Sequence, residues 1–345
     1  MRTLPLCLLI PLMSQAADYS ARTAVVDGIE VVRLADAARR MEVSIVPSIG
    51  NLAYEFKVDG KNVLWFPFDS LSAFKAKPAL CGVPFLAPWA NRLDQDAFWA
   101  NGKKYPLNPA LGNLRRDPNG KPIHGLLAFA SEWRVAALGA DAGEARATSR
   151  LEFWKYPDLM AQFPFAHTIE MTYRLRKGSL EVETVLDNHA AAPMPVAVGY
   201  HPYFQLPGVP RDSWKAHVAA REHVTLSPEL IPTGERTPAT HTDPQPLAGT
   251  QFDDVFTGLV RGADGRAEFR VEGGGAKVAV IYGPLFQVAV VYAPAGRDFI
   301  CFEPMAAVTN AFNLAQQGRY PDLQSIPPGG RWRESFWIVP SGLAK

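Results

Sequence analysis

The chain has 345 residues, 48% hydrophobic and 20% charged, the balance of a globular protein and not of a disordered or fibrous one. Its 35 basic residues stand against 34 acidic ones, and with no basic excess or stripe to neutralise phosphates, nucleic acid is not an expected partner. Neither C-x-x-C nor H-E-x-x-H occurs and the histidines fall at no ligand spacing, so no metal or other cofactor is expected.

The first residues read MRTLPLCLLIPLMSQAADYS. Arg2 is a short positive start, residues 4–13 are apolar but too short to span a bilayer, and Ser14-Gln15-Ala16 offers small residues for cleavage. The segment 1–17 is therefore read as a signal peptide, cut near Ala16 or Ala17, and the mature protein as periplasmic or secreted. No later segment is long and apolar enough to cross a membrane. Cys7 falls inside the leader. Cys81 and Cys301 remain, and spacing cannot say whether they pair.

Beyond the leader, helix signals are sparse, proline is frequent, and short alternating runs dominate. Strands are predicted over 41–46, 52–58 and 62–65. Residues 98–107 read as a hairpin, because Asn101-Gly102 sits between two strand-like pieces. Further runs follow at 133–135, 147–154, 168–175, 180–186 and 196–198. The stretch 207–250 reads as loop-rich. Late strands fall at 266–272, 277–282, 286–292, 299–302 and 332–339, with Gly273-Gly274-Gly275 as a turn. Many short strands separated by turns predict an all-β sandwich or barrel. Arg115-Arg116, the nearest thing to a basic run, reads as a solvated loop.

Four constellations carry chemistry. In Gly199-Tyr-His-Pro-Tyr-Phe204, Pro202 pushes His201 into an extended conformation and fixes the direction of its ring. That ring is either a core histidine with one hydrogen bond or a general acid. In Asp298-Phe-Ile-Cys-Phe-Glu-Pro304, a strand would put Phe299, Cys301 and Glu303 on one face. Glu303 is then either a strand-end carboxylate reaching water or a desolvated base. In Pro84-Phe-Leu-Ala-Pro-Trp-Ala-Asn-Arg92, Arg92 serves either a structural salt bridge or sugar hydroxyls, and Trp89 offers a flat apolar face to a pyranose. His124-Gly125 downstream is a turn or a second sugar contact. Asp253-Asp254 between Phe252 and Phe256 is a solvated loop or an acceptor pair for a polyol.

The order of these pieces resembles the aldose 1-epimerase (galactose mutarotase) family. Asn91-Arg92, the hairpin 101–108, His124-Gly125, His201 to Gly208, Pro232 to Glu235, Asp253 to Phe256 and Glu303-Pro304 follow one another from about residue 40 to 340. The resemblance implies a large antiparallel β-sandwich of the galactose mutarotase-like kind, a single domain over 18–345, since the named positions must meet in one pocket. It implies that His201 protonates the ring oxygen and Glu303 takes the proton of the anomeric hydroxyl. Arg92, His124, Asp253 and Asn91 would hold a free aldose such as glucose or galactose. Tyr200, Gln205 and Leu126 depart from the family pattern and bear on the substrate more than on the chemistry. Competing readings are a non-catalytic carbohydrate-binding protein, a hexose-6-phosphate epimerase-like enzyme, for which the expected Trp-Phe-Gly stretch is lacking, and a lyase.

Overall fold

Short alternating runs cut by proline and glycine turns give a structure that is 49% strand and 8% helix, so its packing comes from sheets. The computed structural model describes residues 18–343, and the signal peptide read over 1–17 lies outside the described residues. Two large antiparallel sheets form the body. One has nine strands, from Gln245–Pro246 through Arg331–Ser341 and Ser179–Asn188 to Arg134–Ala140. The other has eight, from Pro232–Pro238 through Phe252–Leu259, Val288–Ala293 and Ile300–Met305 to Phe85–Leu86. A five-stranded meander from Tyr19–Val26 to Lys61–Asn62 makes a third sheet. Aromatic side chains join the two large sheets: the rings of Phe269 and Phe302 are 6.1 Å apart, and those of Tyr200 and Phe336 4.7 Å. One buried apolar cluster runs from Tyr19 to Leu343. Burial of each of its large aliphatic or aromatic side chains contributes roughly 1.5–3 kcal/mol.

The hairpin predicted at Asn101-Gly102 joins Ala97–Ala100 to Lys103–Pro106, and both turn residues have positive φ, as a two-residue hairpin turn requires. The triple-glycine turn joins Ala267–Gly273 to Ala276–Tyr282. The stretch 207–250 is loop-rich as expected, and between its loops it holds the short strands Lys215–His217, Ala220–Leu226, Pro232–Pro238 and Gln245–Pro246. These are edge and next-to-edge strands, where proline is tolerated because one side of the ladder needs no donor. The hairpin of Tyr19–Val26 and Ile29–Asp36 was not foreseen, although Asp27-Gly28 marks its turn. Cys81 and Cys301 are both free and buried, so the pairing left open by their spacing does not occur.

Candidate active site

His201 is placed by the backbone on either side of it. Gly199 pairs with Met305 on one flank and Leu86 on the other. A Cβ at Gly199 would meet Met305 Cγ at 2.9 Å and Ala90 Cβ at 3.0 Å, so only glycine lets these strands close up. His201 N donates to Pro84 O at 3.0 Å and Tyr203 N to Gly82 O at 2.8 Å, which anchors the segment across Pro202. The imidazole lies flat on the Tyr203 ring, 4.6 Å between centroids and 6° between planes. That stack fixes the plane in which its nitrogens point.

Glu303 comes from the neighbouring strand Ile300–Met305. The strand's parity is as the sequence predicts. Ile300 and Phe302 join the main core, while Cys301 packs with Tyr203 and Phe299 on the other face, which Glu303 shares. Glu303 Oε1 lies 3.3 Å from His201 Nε2. Both residues are nearly closed off, at 1% and 6% exposure, yet both line one pocket of about 380 Å³. Glu303 Oε2 and His201 Nδ1 find no hydrogen-bond partner on another described residue. Burial pushes the Glu303 carboxyl well above the usual carboxylate range; Asp253 adds to this and Arg92 opposes it. Burial, together with the charges of Arg115 and Arg92, takes the His201 imidazole down to about 3. Burial thus favours the uncharged form of each group, a protonated Glu303 carboxyl and an unprotonated imidazole.

Arg92, Asn91, His124 and Asp253 line the same pocket. Arg92 makes a structural salt bridge and also borders the pocket. Its Nε donates to buried Asp117 Oδ2 at 2.6 Å and its Nη1 to Asn91 Oδ1 at 2.9 Å, while Nη2 makes no hydrogen bond among the described residues. Burial resists ionisation of Asp117, but the bonds from Arg92, Lys121 N and Asn119 N overcome it and hold its carboxyl below its ordinary value. His124 stands in a left-handed conformation (φ +61°) and its N donates to Asn91 O at 2.9 Å. Its ring packs edge-on to His201, 5.4 Å away, and is kept neutral by burial and by His201, Arg115 and Arg92. On Phe252–Leu259 the two acids part company. Asp253 lines the pocket, while Asp254 accepts from His223 Nε2 at 2.8 Å.

Three sequence expectations do not hold. Trp89 does not offer a face to a sugar: it is 1% exposed, bridges to Ala197 and is absent from the pocket lining, so its ring belongs to the core. Arg115 is not solvated. It is half-buried over the Phe129 ring at 5.0 Å with its Nε enclosed and unpartnered, whereas Arg116 is exposed and paired with Asp96. The departures Tyr200 and Gln205 do not border the pocket: Tyr200 OH is bonded to Thr184 in the core, and Gln205 Nε2 donates to Asn62 O and Leu64 O. Other lining residues, among them Asp117, Asn119, Leu80, Leu230 and Tyr292, were not singled out from the sequence. Only the turn signal Asp117-Pro-Asn-Gly120 could have marked the first two.

A family model described as aldose 1-epimerase matches residues 30–338. Among solved structures, the chain is similar to a galactose mutarotase-like protein from Clostridium acetobutylicum at 20% identity, covering 94% of this chain and 99% of that one, with a TM-score of 0.84. It is similar to a galactose 1-epimerase from Lactobacillus acidophilus at 14% identity, 94% and 99% coverage and a TM-score of 0.70. An aldose epimerase homologue from C. elegans gives 16% identity, 94% and 100% coverage and a TM-score of 0.69. At these identities the likeness to the solved structures is one of fold.

Proposed function

Because this chain belongs to the aldose 1-epimerase family, we propose that it interconverts the α and β anomers of a free aldose by acid–base opening and closure of the ring, with His201 and Glu303 as the two proton-transferring groups. The observation that carries this reading is the 3.3 Å approach of His201 Nε2 to Glu303 Oε1 on the floor of a sugar-sized pocket. The ring oxygen and the anomeric hydroxyl of an aldose are bonded to one carbon. An acid and a base that serve them must therefore be close neighbours.

The pair holds one proton. Moving it from Glu303 to His201 gives the working form, in which the imidazolium protonates the ring oxygen while the carboxylate accepts the anomeric proton. The aldehyde forms, the C1–C2 bond rotates, and closure with the roles exchanged gives the other anomer. Arg92 Nη2, Asn91, His124 and Asp253 hold the hydroxyls. A protein that only bound sugar would have no use for a buried carboxyl and imidazole with open hydrogen-bonding atoms, each costing about 1–3 kcal/mol. A phosphorylated sugar fits poorly, because Arg92 is the one Lys or Arg side chain among the described lining residues and faces Asp117, Asp253 and Glu303.

Polarimetry on freshly dissolved α-D-glucose, α-D-galactose and pentoses, with the spontaneous rate subtracted, tests the reading. Acceleration of at least one aldose supports it, and binding without acceleration of any favours the carbohydrate-binding alternative. The pH profile follows from the pair. Activity needs one proton on it. The acid limb is gain of a second proton by His201, whose imidazole is held down to about 3, and the alkaline limb is loss of the proton from the raised Glu303 carboxyl. Activity should thus show no acid limb at the ordinary imidazole value near 6.5; a half-maximal point there would contradict it. Arg92→Ala should raise half-saturation by about tenfold or more, in line with loss of a charge-assisted bond. It also strands buried Asp117, so Arg92→Lys, which keeps the charge, serves as the folded comparison. Unchanged half-saturation in both would remove Arg92 from the sugar site.

A further inference from the structure

Three carboxyls line the pocket beside Arg92, those of Asp117, Asp253 and Glu303, and among them only Asp117 is within ion-pair distance of its guanidinium. The charge of Arg92 acts on both of the others. The choice of partner is built into the turn that carries Asp117. Gly120 N donates to Asp117 O at 2.9 Å, and Gly120 takes the left-handed φ of +74° that closes the turn. Asp117 N donates to Lys121 O at 3.0 Å. Side chains tie the turn down as well: Arg116 Nη1 donates to Gly120 O at 2.6 Å and Lys121 Nζ to Asp94 O at 2.9 Å. Arg92 is pinned to the segment that leaves this turn. It bridges to Ile123, and Leu93 N donates to Pro122 O at 2.9 Å. Both members of the ion pair therefore sit on one hydrogen-bonded unit.

Both oxygens of the Asp117 carboxylate are engaged. Oδ1 accepts from Asn119 N at 2.9 Å and from Lys121 N at 2.8 Å, and Oδ2 accepts from Arg92 Nε at 2.6 Å. Its side chain is 1% exposed. Closed off and already bonded, it is a poor acceptor for a sugar hydroxyl although it borders the pocket. What it does is aim the guanidinium. Nε is held by Asp117 and Nη1 by Asn91 Oδ1 at 2.9 Å, and a planar fork fixed at two nitrogens has its third fixed too.

We propose that Asp117 is a positioning residue, the counter-ion that keeps the Arg92 fork from swinging toward Asp253 or Glu303 and so presents Nη2 to a sugar hydroxyl. The proposal rests on the aldose reading above and concerns binding, not proton transfer. Asp117→Asn is the discriminating change. The site asks for two acceptor oxygens, one toward the turn and one toward Arg92, and asparagine supplies one. Whichever way its amide turns, an N–H faces an N–H.

The test compares dissociation constants for D-galactose and D-glucose by NMR titration, kcat and KM by polarimetry, and thermal midpoints in the wild type, Asp117→Asn, Arg92→Ala and the double variant. Asp117→Asn should raise Kd and KM by about tenfold or more, with kcat changed by less than about threefold. In the Arg92→Ala background the same change should leave Kd unmoved, because no fork remains to be aimed. It should not lower the thermal midpoint further, because it removes a stranded carboxylate. An unchanged Kd in Asp117→Asn, or an equal loss of affinity with Arg92 present and absent, would overturn the proposal. The wild type gives a check that needs no variant: the Arg92 Nε–H resonance should exchange slowly with water, and fast exchange would also overturn it. If the wild type binds sugar without epimerising it, the catalytic reading fails alone, and the dissociation constants still decide the role of Asp117. If it binds neither sugar, both fail.

Discussion

Glu303→Gln is expected to lower catalysed mutarotation by about 10²–10⁴-fold, and His201→Asn by a similar factor, with the fold retained. The reason is the enclosure of the pair. Glu303 approaches the imidazole to 3.3 Å, it is all but closed to solvent, and no other described side chain is hydrogen-bonded to it. Glutamine has the same shape and can still donate an N–H to His201 Nε2, but it cannot exchange a proton with a sugar oxygen. Removing either member leaves the other without a partner for the proton, so the double variant should cost little more than one alone. Sugar binding, read by calorimetry, should change far less than the rate. A Glu303→Gln protein with full activity would remove Glu303 from the chemistry, and a variant that fails to bind sugar would make it a contact instead.

Gly125→Ala is expected to destabilise the protein by on the order of 3 kcal/mol or more and to disturb the site through His124. Gly125 has φ +60°, and a Cβ there would lie 2.2 Å from Ala87 O and 2.4 Å from Ala87 C. These are backbone atoms, and Ala87 O cannot swing away, because it accepts from Leu126 N at 2.7 Å and Leu127 N at 3.2 Å. The carbonyl that would clash therefore also ties the His124 turn to the segment 84–92, which carries Asn91 and Arg92. Gly102→Ala provides the control. Its φ is also positive, at +72°, but nothing lies within 4 Å of its Cβ, so conformational strain alone should cost about 1 kcal/mol. Thermal unfolding of the two variants separates crowding from strain. Equal losses would contradict the close approach at Gly125.

The strand pattern was legible because strands leave a local mark. Asn101-Gly102 fixed one hairpin, the triple glycine another, and the alternation of Phe299, Cys301 and Glu303 placed the carboxylate on its face. His201 was legible for the same reason, since Pro202 acts on the residue beside it. What failed depended on contacts between distant segments. Trp89 looked like a sugar platform by composition, but its bridge to Ala197 draws it into the core. Arg115 looked solvated because no local residue reports Phe129 packing beneath it. Arg92's partner Asp117 and the rim residue Leu230 lie on other segments of the chain, and no spacing rule links them. Within the loop-rich stretch 207–250 the short edge strands went unseen, because proline argues against a central strand and is silent about an edge.

The most direct measurement of anomer exchange is magnetisation transfer between the two C1 protons of an aldose already at equilibrium, followed by NMR as protein is added. The expected result is transfer that rises in proportion to wild-type protein and falls to the spontaneous rate with Glu303→Gln at equal sugar occupancy. No protein-dependent transfer for any bound aldose, or full transfer with the glutamine variant, would contradict the assignment of proton exchange to this buried pair.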